Sequence, residues 1–543
     1  MTLFQLPDDS RSDLSCVQCI ATDTAGYAMN QFVMVTDSYS GRIYFGMITG
    51  PQRNINRTGL GQFDNTTITA LEAVVQGEYG REAVVSECFL YQVRLLRDVS
   101  TGVPEVVTRR PQINSIAKAA TEEEVIKYMN LPDANPETIV GKIPGTEIGV
   151  YYDHKRLVYH SLLAGATGSG KSNAGANIIK ASVNMGFGCV VYDHKPDYQD
   201  MEKLNADLAE DDPNQQPMDV EYWYLGRQQG SNGHTIVIPA SCFSPGMLAA
   251  TIFWNDGEMQ QREEMEHGLE VYRDLRRDDD PDAVWTLNDW FWWYTDGNGA
   301  QASTDDIQRT VGHAPHRASL AALLRKVTRR NRRPMWLDGV NIGSHDDQPA
   351  TGSVMGKRAG RRTPVWFDPI DKIQKGKVLC IKINGSEAGR EYGLFLDFML
   401  KRVYRARANR DLKFPVHHFI DEAQDIFGGS KRFAEAAGGS MSQQIRKGRS
   451  LNIGFTIAVQ SADQVPSEIL NNLNSRIILR HNNAGQARSA LEKATPEQLS
   501  STAYFGPGQA LVDLFGSNAV VQGQMLRSPF QLTVDNLFEE EGE

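Results

Sequence analysis

The stretch Leu162–Ser172 restricts the possible folds of this 543-residue chain more than any other. A short, largely apolar run, Val158–Ala164, breaks there into the letters GATGSGKS, which match the pattern G-x-x-x-x-G-K-[ST]. Glycines let a backbone curl so that its N–H groups can face an anion, and a helix that follows presents its positive end to the same anion. The stretch therefore predicts a strand, a phosphate-binding loop (P-loop) and a helix in succession.

Side chains of this loop can complete a nucleotide site. Lys171 can reach the β- and γ-phosphates as a point charge, and the Ser172 hydroxyl can ligate Mg²⁺. Because every fixed position of the pattern is filled and the strand–loop–helix setting agrees with it, we predict ATP and Mg²⁺ as ligands. The predicted nucleotide-binding residues are Gly165, Ala166, Thr167, Gly168, Ser169, Gly170, Lys171, Ser172 and Asn173.

A second motif follows far downstream, in FPVHHFIDEAQDIF. It predicts a strand, Lys413–Ile420, that runs into Asp421 and Glu422, the arrangement of a Walker B motif. Asp421 is predicted to hold Mg²⁺ through a water molecule, together with Ser172. Glu422 is predicted to orient or deprotonate the attacking water. Such a strand is a moderate signal alone, but downstream of a P-loop it favours nucleotide hydrolysis.

Three further residues are candidates for the catalytic set, which also includes Lys171, Asp421 and Glu422. The apolar run Leu451–Val459 predicts a buried strand ending at Gln460, where a polar side chain could sense the γ-phosphate. An extra cation at the γ-phosphate accelerates ATP hydrolysis. In ring ATPases a neighbouring subunit supplies this cation as an arginine finger. Arg446 and Arg449 are the candidates for that cation, and solvated surface charges are the alternative.

Composition limits the class of protein. The length predicts two to four domains, and 41% apolar residues suffice for globular cores. No run of 18 apolar residues is present, the N-terminus lacks the pattern of a secretory signal, and the six cysteines are thinly spread, so we expect a cytosolic protein. Cys16 and Cys19 form a lone C-x-x-C, which is either structural or a metal-binding or redox pair. The net charge of -11 argues against a surface broadly covered by nucleic acid but allows a local basic channel.

The fold class predicted is α/β, with a RecA-like P-loop core divided by an insertion. Residues 1–148 alternate like short strands and predict a small N-terminal β-barrel, followed by a helix, Thr121–Met129, with a capping-box start. Residues 149–198 and 376–543 predict the two parts of the ATPase core. The motifs are about 250 residues apart, whereas a compact core needs roughly a hundred, so 199–375 is predicted as a helical insertion.

Some features of the core and the insertion leave alternatives open. The strand Gly188–Tyr192 ends at Asp193-His194-Lys195, which lies either near the nucleotide or in a solvated loop. Trp285–Tyr294 contains four of the eight tryptophans, which either stack nucleic-acid bases or form a small core. Two basic clusters form a DNA-facing patch, a solvated helix face or a surface for an acidic partner. They are Arg325, Lys326, Arg329, Arg330, Arg332 and Arg333, and then Lys357, Arg358, Arg361 and Arg362.

Several ordered segments resemble the HerA branch of the HerA/FtsK ATPases, over about 155–198 and 375–525. They are HSLLAGATGSGKSN, VVYDHK, HHFIDEAQ, IRKGRSLNIGF, LNSRIILR and FGPGQALV. The resemblance implies a homohexameric ring with DNA in its pore and ATP-driven translocation. It also implies a nuclease or other effector docked on the N-terminal barrel, in DNA end processing or antiphage defence.

The chain also departs from the family pattern. Gln460 is followed by Ser461 where the family usually has arginine, and the Gly-rich region after Glu422 puts a family lysine in doubt, with Lys431 as a substitute. One rival hypothesis is an assembly scaffold, in which ATP controls a ring that positions a nuclease or an NAD-consuming effector. Another is a membrane-associated pump, against which the lack of a membrane segment counts.

Overall fold

The protein, here a computed structural model, forms two β-sheets with helices packed on them. The structure describes residues 2–5, 16–21, 28–49, 53–56, 87–112, 115–205, 216–225, 233–253, 256–280, 283–287, 289–290, 293, 337–338, 366–383, 388–427, 431–482, 484–491 and 493–532. Among these residues no helix has the length and apolar character needed to cross a membrane.

The first sheet is antiparallel and is built from the N-terminal part of the chain. Its strands are β1 (Thr2–Gln5), β2 (Cys16–Ala21), β3 (Phe32–Thr36), β4 (Ile43–Ile48), β5 (Arg53–Asn56), β6 (Glu87–Asp98) and β7 (Ile116–Ala119). Their order is β2-β1-β7-β3-β4-β6-β5, and β2 also pairs with β6. The pairings of six strands therefore return to their starting point, and β5 extends β6 beyond β4.

The period-two pattern of this sheet explains its two faces. Val33 and Val35 of β3 are buried in one cluster with Tyr91, while Phe32 belongs to a second cluster and stacks on Phe45, with ring centroids 5.4 Å apart. Helix α1 (Glu122–Met129) covers the second cluster and begins at the predicted capping box. Cys16 and Cys19 are both buried in β2.

The second sheet is the larger one and is mostly parallel. Its strands are β8 (Ile139–Lys142), β9 (Gly149–Tyr151), β10 (Ser161–Ala164), β11 (Gly188–Asp193), β12 (Val220–Leu225), β13 (His234–Thr235), β14 (Val378–Ile383), β15 (Val416–Ile420), β16 (Ile453–Val459), β17 (Ser475–Ile478), β18 (Gln509–Asp513) and β19 (Val521–Met525). The order is β13-β12-β14-β11-β15-β16-β10-β17-β18-β19-β8-β9. The strands from β13 to β17 are parallel, and antiparallel pairings join the rest.

Helices lie on both faces of this sheet. They are α2 (His154–Val158), α3 (Lys171–Asn184), α4 (Pro245–Ile252), α5 (Met259–Asp279), α6 (Pro369–Lys372), α7 (Ala388–Asn409), α8 (Gln424–Phe427), α9 (Lys431–Gly448), α10 (Ser467–Leu470), α11 (Ala484–Arg488) and α12 (Pro496–Ser501). Leu162 and Val190 pack in one cluster with α7, and Leu163 and Val191 pack in the other with α3. A parallel sheet buried on both faces needs such near-continuous apolar strands. The α/β class predicted from the sequence is confirmed.

The span 199–375 departs from the prediction of a helical insertion. Strand β12 pairs in parallel with β14 along its whole length, so residues 220–225 extend the large sheet. The insertion pattern hid this strand because polar stretches lie on both sides of it. Trp285, Trp290 and Trp293 are buried in the main hydrophobic cluster, which favours the core interpretation of the aromatic segment. The two basic clusters, 325–333 and 357–362, lie outside the described residues.

Candidate nucleotide site

The P-loop leaves the large sheet between two parallel neighbours. Strand β10 is fully buried, with β16 on one side and β17 on the other. The backbone N–H of Gly165 donates to the Val459 carbonyl at 3.2 Å, and that of Ala166 donates to the Arg480 carbonyl at 2.9 Å. The start of the loop is thus fixed to both neighbouring strands before it turns into α3 at Lys171.

Two glycines of this loop adopt a backbone conformation that favours glycine. Gly168 has φ +72° and Gly170 has φ +93°, both in the left-handed region. A Cβ on Gly170 would also lie 2.9 Å from the backbone nitrogen of Gly508. The predicted nucleotide-binding stretch therefore has the curled backbone and the helix N-terminus that phosphate binding requires, and these residues fit a phosphate group.

The Walker B carboxylates lie beside the P-loop, as predicted. Strand β15 ends at Ile420, and the N–H of Asp421 donates to the Tyr192 carbonyl of β11 at 3.2 Å. Glu422 is 3% exposed and has φ +46°, a left-handed conformation that is uncommon for a residue with a side chain. Lys171 Nζ donates to Glu422 Oε1 at 2.9 Å, which joins the two motifs across 251 positions.

Four donors surround the Glu422 carboxylate. Lys171 and Lys195 both bond Oε1, at 2.9 and 2.7 Å. Gln460 Nε2 bonds Oε2 at 3.1 Å, and the Gln424 amide bonds the same oxygen. Burial acts to raise the pKa of Glu422, but the charge of Lys171 and these hydrogen bonds outweigh it and lower the pKa to about 2. Glu422 is therefore ionised, and the predicted sensor Gln460 contacts it directly.

Further carboxylates crowd the other side of the site. Asp421 is buried, and burial, opposed by Lys171 and reinforced by the charges of Glu422 and Asp197, raises its pKa to about 7. Asp193 has a pKa well above its usual value, because of burial and then the charges of Asp421 and Asp197. Oδ1 of Asp193 is buried and has no hydrogen-bond partner among the described residues.

This crowding fits a divalent cation held together with a nucleotide. The hydroxyl of Ser172 donates to Asp197 Oδ2 at 2.7 Å, so the predicted Mg²⁺ ligand already lies among carboxylates. Ser172 and Asp421 are oxygen donors of the kind that Mg²⁺ prefers, and bound Mg²⁺ would neutralise phosphate charge. Within the described residues no set of three or more His, Cys, Asp and Glu side chains is arranged to hold a metal. Waters and phosphate oxygens would therefore have to complete the coordination.

The two candidate arginines do not reach the P-loop of their own chain. Arg446 lies in the last turn of α9 and is exposed, and the Arg449 guanidinium lies 4.3 Å from the centre of the Tyr159 ring. Both residues precede the start of β16, whereas the P-loop lies at the other end of this strand, about 20 Å away. An arginine finger at these positions can act only on a neighbouring subunit.

The C-terminal strands hold the P-loop and the start of α3. The N–H of Gly508 donates to the Ser169 carbonyl at 2.9 Å, and that of Met525 donates to the Gly508 carbonyl at 2.8 Å. The side-chain oxygen of Asn173 accepts a hydrogen bond from Ser528 N–H at 2.8 Å, so this predicted binding residue has a structural contact of its own. The loop that would hold phosphates is therefore tied to β18 and β19.

Three further contacts complete the site. Lys195 was predicted either near the nucleotide or in a solvated loop, and it lies at the site, whereas Asp197 and Arg480 were not predicted as site residues. Asp197 binds Ser172, Lys195 binds Glu422, and Arg480 Nη2 lies 3.4 Å from the Thr167 carbonyl of the P-loop. Lys195 and Asp197 closely follow a predicted core strand, and Arg480 closely follows another. Position at the carboxyl end of a parallel strand was the available signal for all three, because those ends meet at one edge of the sheet.

Comparisons with known proteins identify relatives of this chain in sequence and in structure. The profile of the family described as DUF87, helicase HerA, central domain, matches residues 138–295. The DNA double-strand break repair helicase HerA of Sulfurisphaera tokodaii is 22% identical over 403 residues, covering 73% of this chain and 68% of the relative. The protein of the same name from Sulfolobus acidocaldarius is 20% identical over 434 residues, covering 78% and 74%. VirB4 of Thermoanaerobacter pseudethanolicus aligns with a TM-score of 0.46 and 11% identity, over 74% of this chain and 98% of that chain.

A phosphate-binding loop and a Walker B carboxylate that meet at one edge of a parallel sheet place the chain in the class of P-loop ATPases. The family profile and the two HerA relatives narrow this class. The chain is a P-loop ATPase of the DNA-translocase type, and the resemblance to the HerA/FtsK ATPases seen in the sequence is confirmed.

Proposed function

We propose that this chain is a subunit of a hexameric ring that hydrolyses ATP to move along DNA. ATP and Mg²⁺ would bind at the P-loop, with Ser172 and Asp421 at the metal. Glu422 would orient or deprotonate the attacking water, and Gln460 would respond to the γ-phosphate through its contact with Glu422. The relatives' description as DNA double-strand break repair helicases supports DNA as the track.

One observation supports the proposal of a ring of several subunits. The P-loop and the Walker B pair assemble within one chain, whereas Arg446 and Arg449 lie at the opposite edge of the same sheet. A site completed by Arg446 or Arg449 then needs a second subunit. The number six comes from the family resemblance.

The partner would bind the N-terminal sheet. Its strand pairings return to their start, which supports the small β-barrel that the resemblance implies. We propose a nuclease or another effector at this face, acting in DNA end processing or in antiphage defence.

A second candidate function is an assembly scaffold, in which ATP controls a ring that positions an effector. The net charge of -11 is on the side of this alternative, because it argues against broad contact of the surface with DNA, whereas the motor would rely on a local basic channel. The two functions differ in the response of hydrolysis to DNA, since a motor uses its track as an activator and a scaffold does not.

ATP hydrolysis by the purified chain, with and without linear duplex DNA, separates these functions. We expect stimulation of several-fold, lost in Lys171→Ala, because this lysine is the P-loop cation that reaches the phosphates. Hydrolysis that is indifferent to DNA would contradict the motor and support the scaffold. Hydrolysis that persists unchanged in Lys171→Ala would contradict the assignment of the site.

A further inference from the structure

Two lysines share one oxygen of Glu422. Lys171 Nζ lies 2.9 Å and Lys195 Nζ lies 2.7 Å from Oε1. The Glu422 side chain is only 4% exposed, and that of Lys171 is 10% exposed. Lys195 reaches the carboxylate from the surface, with its own side chain 46% exposed. The buried carboxylate therefore has two cationic partners in the structure.

ATP would remove one of these partners. A P-loop lysine binds the oxygens of the β- and γ-phosphates. Lys171 would therefore leave Glu422 or divide its hydrogen bonds between Glu422 and the negatively charged phosphates. A buried carboxylate that loses its last cation is strongly destabilised. Gln424 and Gln460 donate to the other oxygen but carry no charge. Lys195 is the cation that remains in contact with Glu422.

We infer that Lys195 is a positioning residue, which balances the charge of Glu422 while Lys171 moves to the phosphates of ATP. It acts through Glu422 and does not itself touch the nucleotide. The inference rests on the ATP site of the proposed function but on none of its statements about DNA, rings or partners. Its consequence is thermodynamic: Lys195 lowers the free-energy cost that ATP binding imposes by drawing Lys171 away from Glu422.

The test measures the affinity for an ATP analogue with a non-hydrolysable β–γ bond, in the presence of Mg²⁺ and without DNA. Lys195→Ala leaves Lys171 as the only cation on Glu422, so we expect binding at least about tenfold weaker than in the wild type. Lys195→Arg retains the charge and should restore most of the affinity. Lys203→Ala is the matched control. Lys203 Nζ lies 2.7 Å from Asp200 Oδ1 and is not a partner of Glu422, so this substitution should leave the affinity for the analogue unchanged.

A double-mutant cycle identifies the route of the effect. In Glu422→Gln there is no charge to balance, so this variant should bind the analogue at least as tightly as the wild type. Adding Lys195→Ala to it should change the affinity by less than about twofold. Wild-type affinity for the analogue in the double variant, Glu422→Gln with Lys195→Ala, would also show that the Lys195→Ala substitution does not prevent folding.

Three results would overturn the inference. Wild-type affinity in Lys195→Ala would show that the second cation is dispensable. An equal loss in the Glu422→Gln background would mean that Lys195 contacts the phosphates directly. Failure of the wild type to bind the analogue would refute the ATP site as well. An intact cycle in a protein whose hydrolysis ignores DNA would leave the inference standing while the motor function failed.

Discussion

At the scale of single residues, the site is organised around Glu422. Its left-handed backbone, φ +46°, costs on the order of 1–3 kcal/mol and persists only where the surroundings hold it. Those surroundings are the two lysines and two glutamines that bond its oxygens. A carboxylate whose pKa is lowered to about 2 is a weak base for as long as both lysines contact it. Departure of Lys171 to the phosphates would free one side of Oε1.

Glu422→Gln should still bind ATP but hydrolyse it at least about a hundredfold more slowly, because an amide cannot accept the proton of the attacking water. Single-turnover hydrolysis beside a binding measurement checks this. The control is Glu468→Gln, which alters an exposed residue of α10 and should hydrolyse normally. Normal hydrolysis by Glu422→Gln would remove Glu422 from the role of base.

Local motifs predicted the P-loop and the Walker B pair, because their chemistry depends on a few consecutive residues. The contacts of Lys195 and Asp197 depend on the pairing of β11 with β15 across more than 200 positions. A single sequence identifies such side chains as belonging to a strand end but cannot assign their partners.

At the scale of elements, strand β15 combines apolar packing with buried histidines. His417 and His418 are fully buried, and their ring nitrogens bond Thr456 Oγ1 at 2.9 Å and the Tyr192 hydroxyl at 3.1 Å. Burial lowers the pKa of each to about 3, assisted for His417 by the charges of His418 and His160. Both rings are therefore neutral in the folded protein above that pH.

Acid should therefore destabilise the core well before it protonates these rings. Their folded pKa of about 3 lies below the unfolded value of about 6.5, so below pH 6.5 the unfolded chain takes up protons that the folded chain does not. The stabilisation is complete above pH 6.5 and is lost as the pH falls towards 3. At pH 5.5 each histidine should cost about 1.4 kcal/mol.

Thermal unfolding at pH 7.5 and 5.5, at constant ionic strength, measures this loss. His417→Gln should reduce the pH dependence, whereas His267→Gln, in which a half-exposed histidine of α5 is changed, should not. Asp421 and Asp193, whose pKa values are raised, act in the opposite direction in this pH range, so the comparison of His417→Gln with the wild type is decisive. The same pH dependence in both proteins would contradict a buried neutral His417.

Strands and helices with strong local patterns were predicted close to their observed bounds. The predicted strand Leu451–Val459 is Ile453–Val459 in the structure, and the helix predicted from Thr121 begins one residue later because Thr121 is its cap. Strand β12 was missed because its partner β14 follows more than 150 positions later. Pairing at that distance leaves no periodic signal in the sequence.

At the scale of the whole molecule, the large sheet separates the P-loop and the Walker B pair from the two candidate arginines. The P-loop and the Walker B pair lie at the carboxyl ends of its parallel strands, and Arg446 and Arg449 lie near the amino end of β16. The sequence supplied both sets of candidates, but their placement at opposite edges required the fold. In the proposed ring, this separation would require a site shared between subunits, and that is the central claim to test.

Mixing two inactive variants tests that claim most directly. Lys171→Ala subunits keep both arginines, and Arg446→Ala/Arg449→Ala subunits keep the P-loop. Each alone should lack DNA-stimulated hydrolysis. Random mixed rings should recover it, because roughly a quarter of their interfaces join an intact P-loop to intact arginines. A mixture no more active than its separate components, or full activity in the double arginine variant, would contradict a site completed by Arg446 or Arg449 of the next subunit.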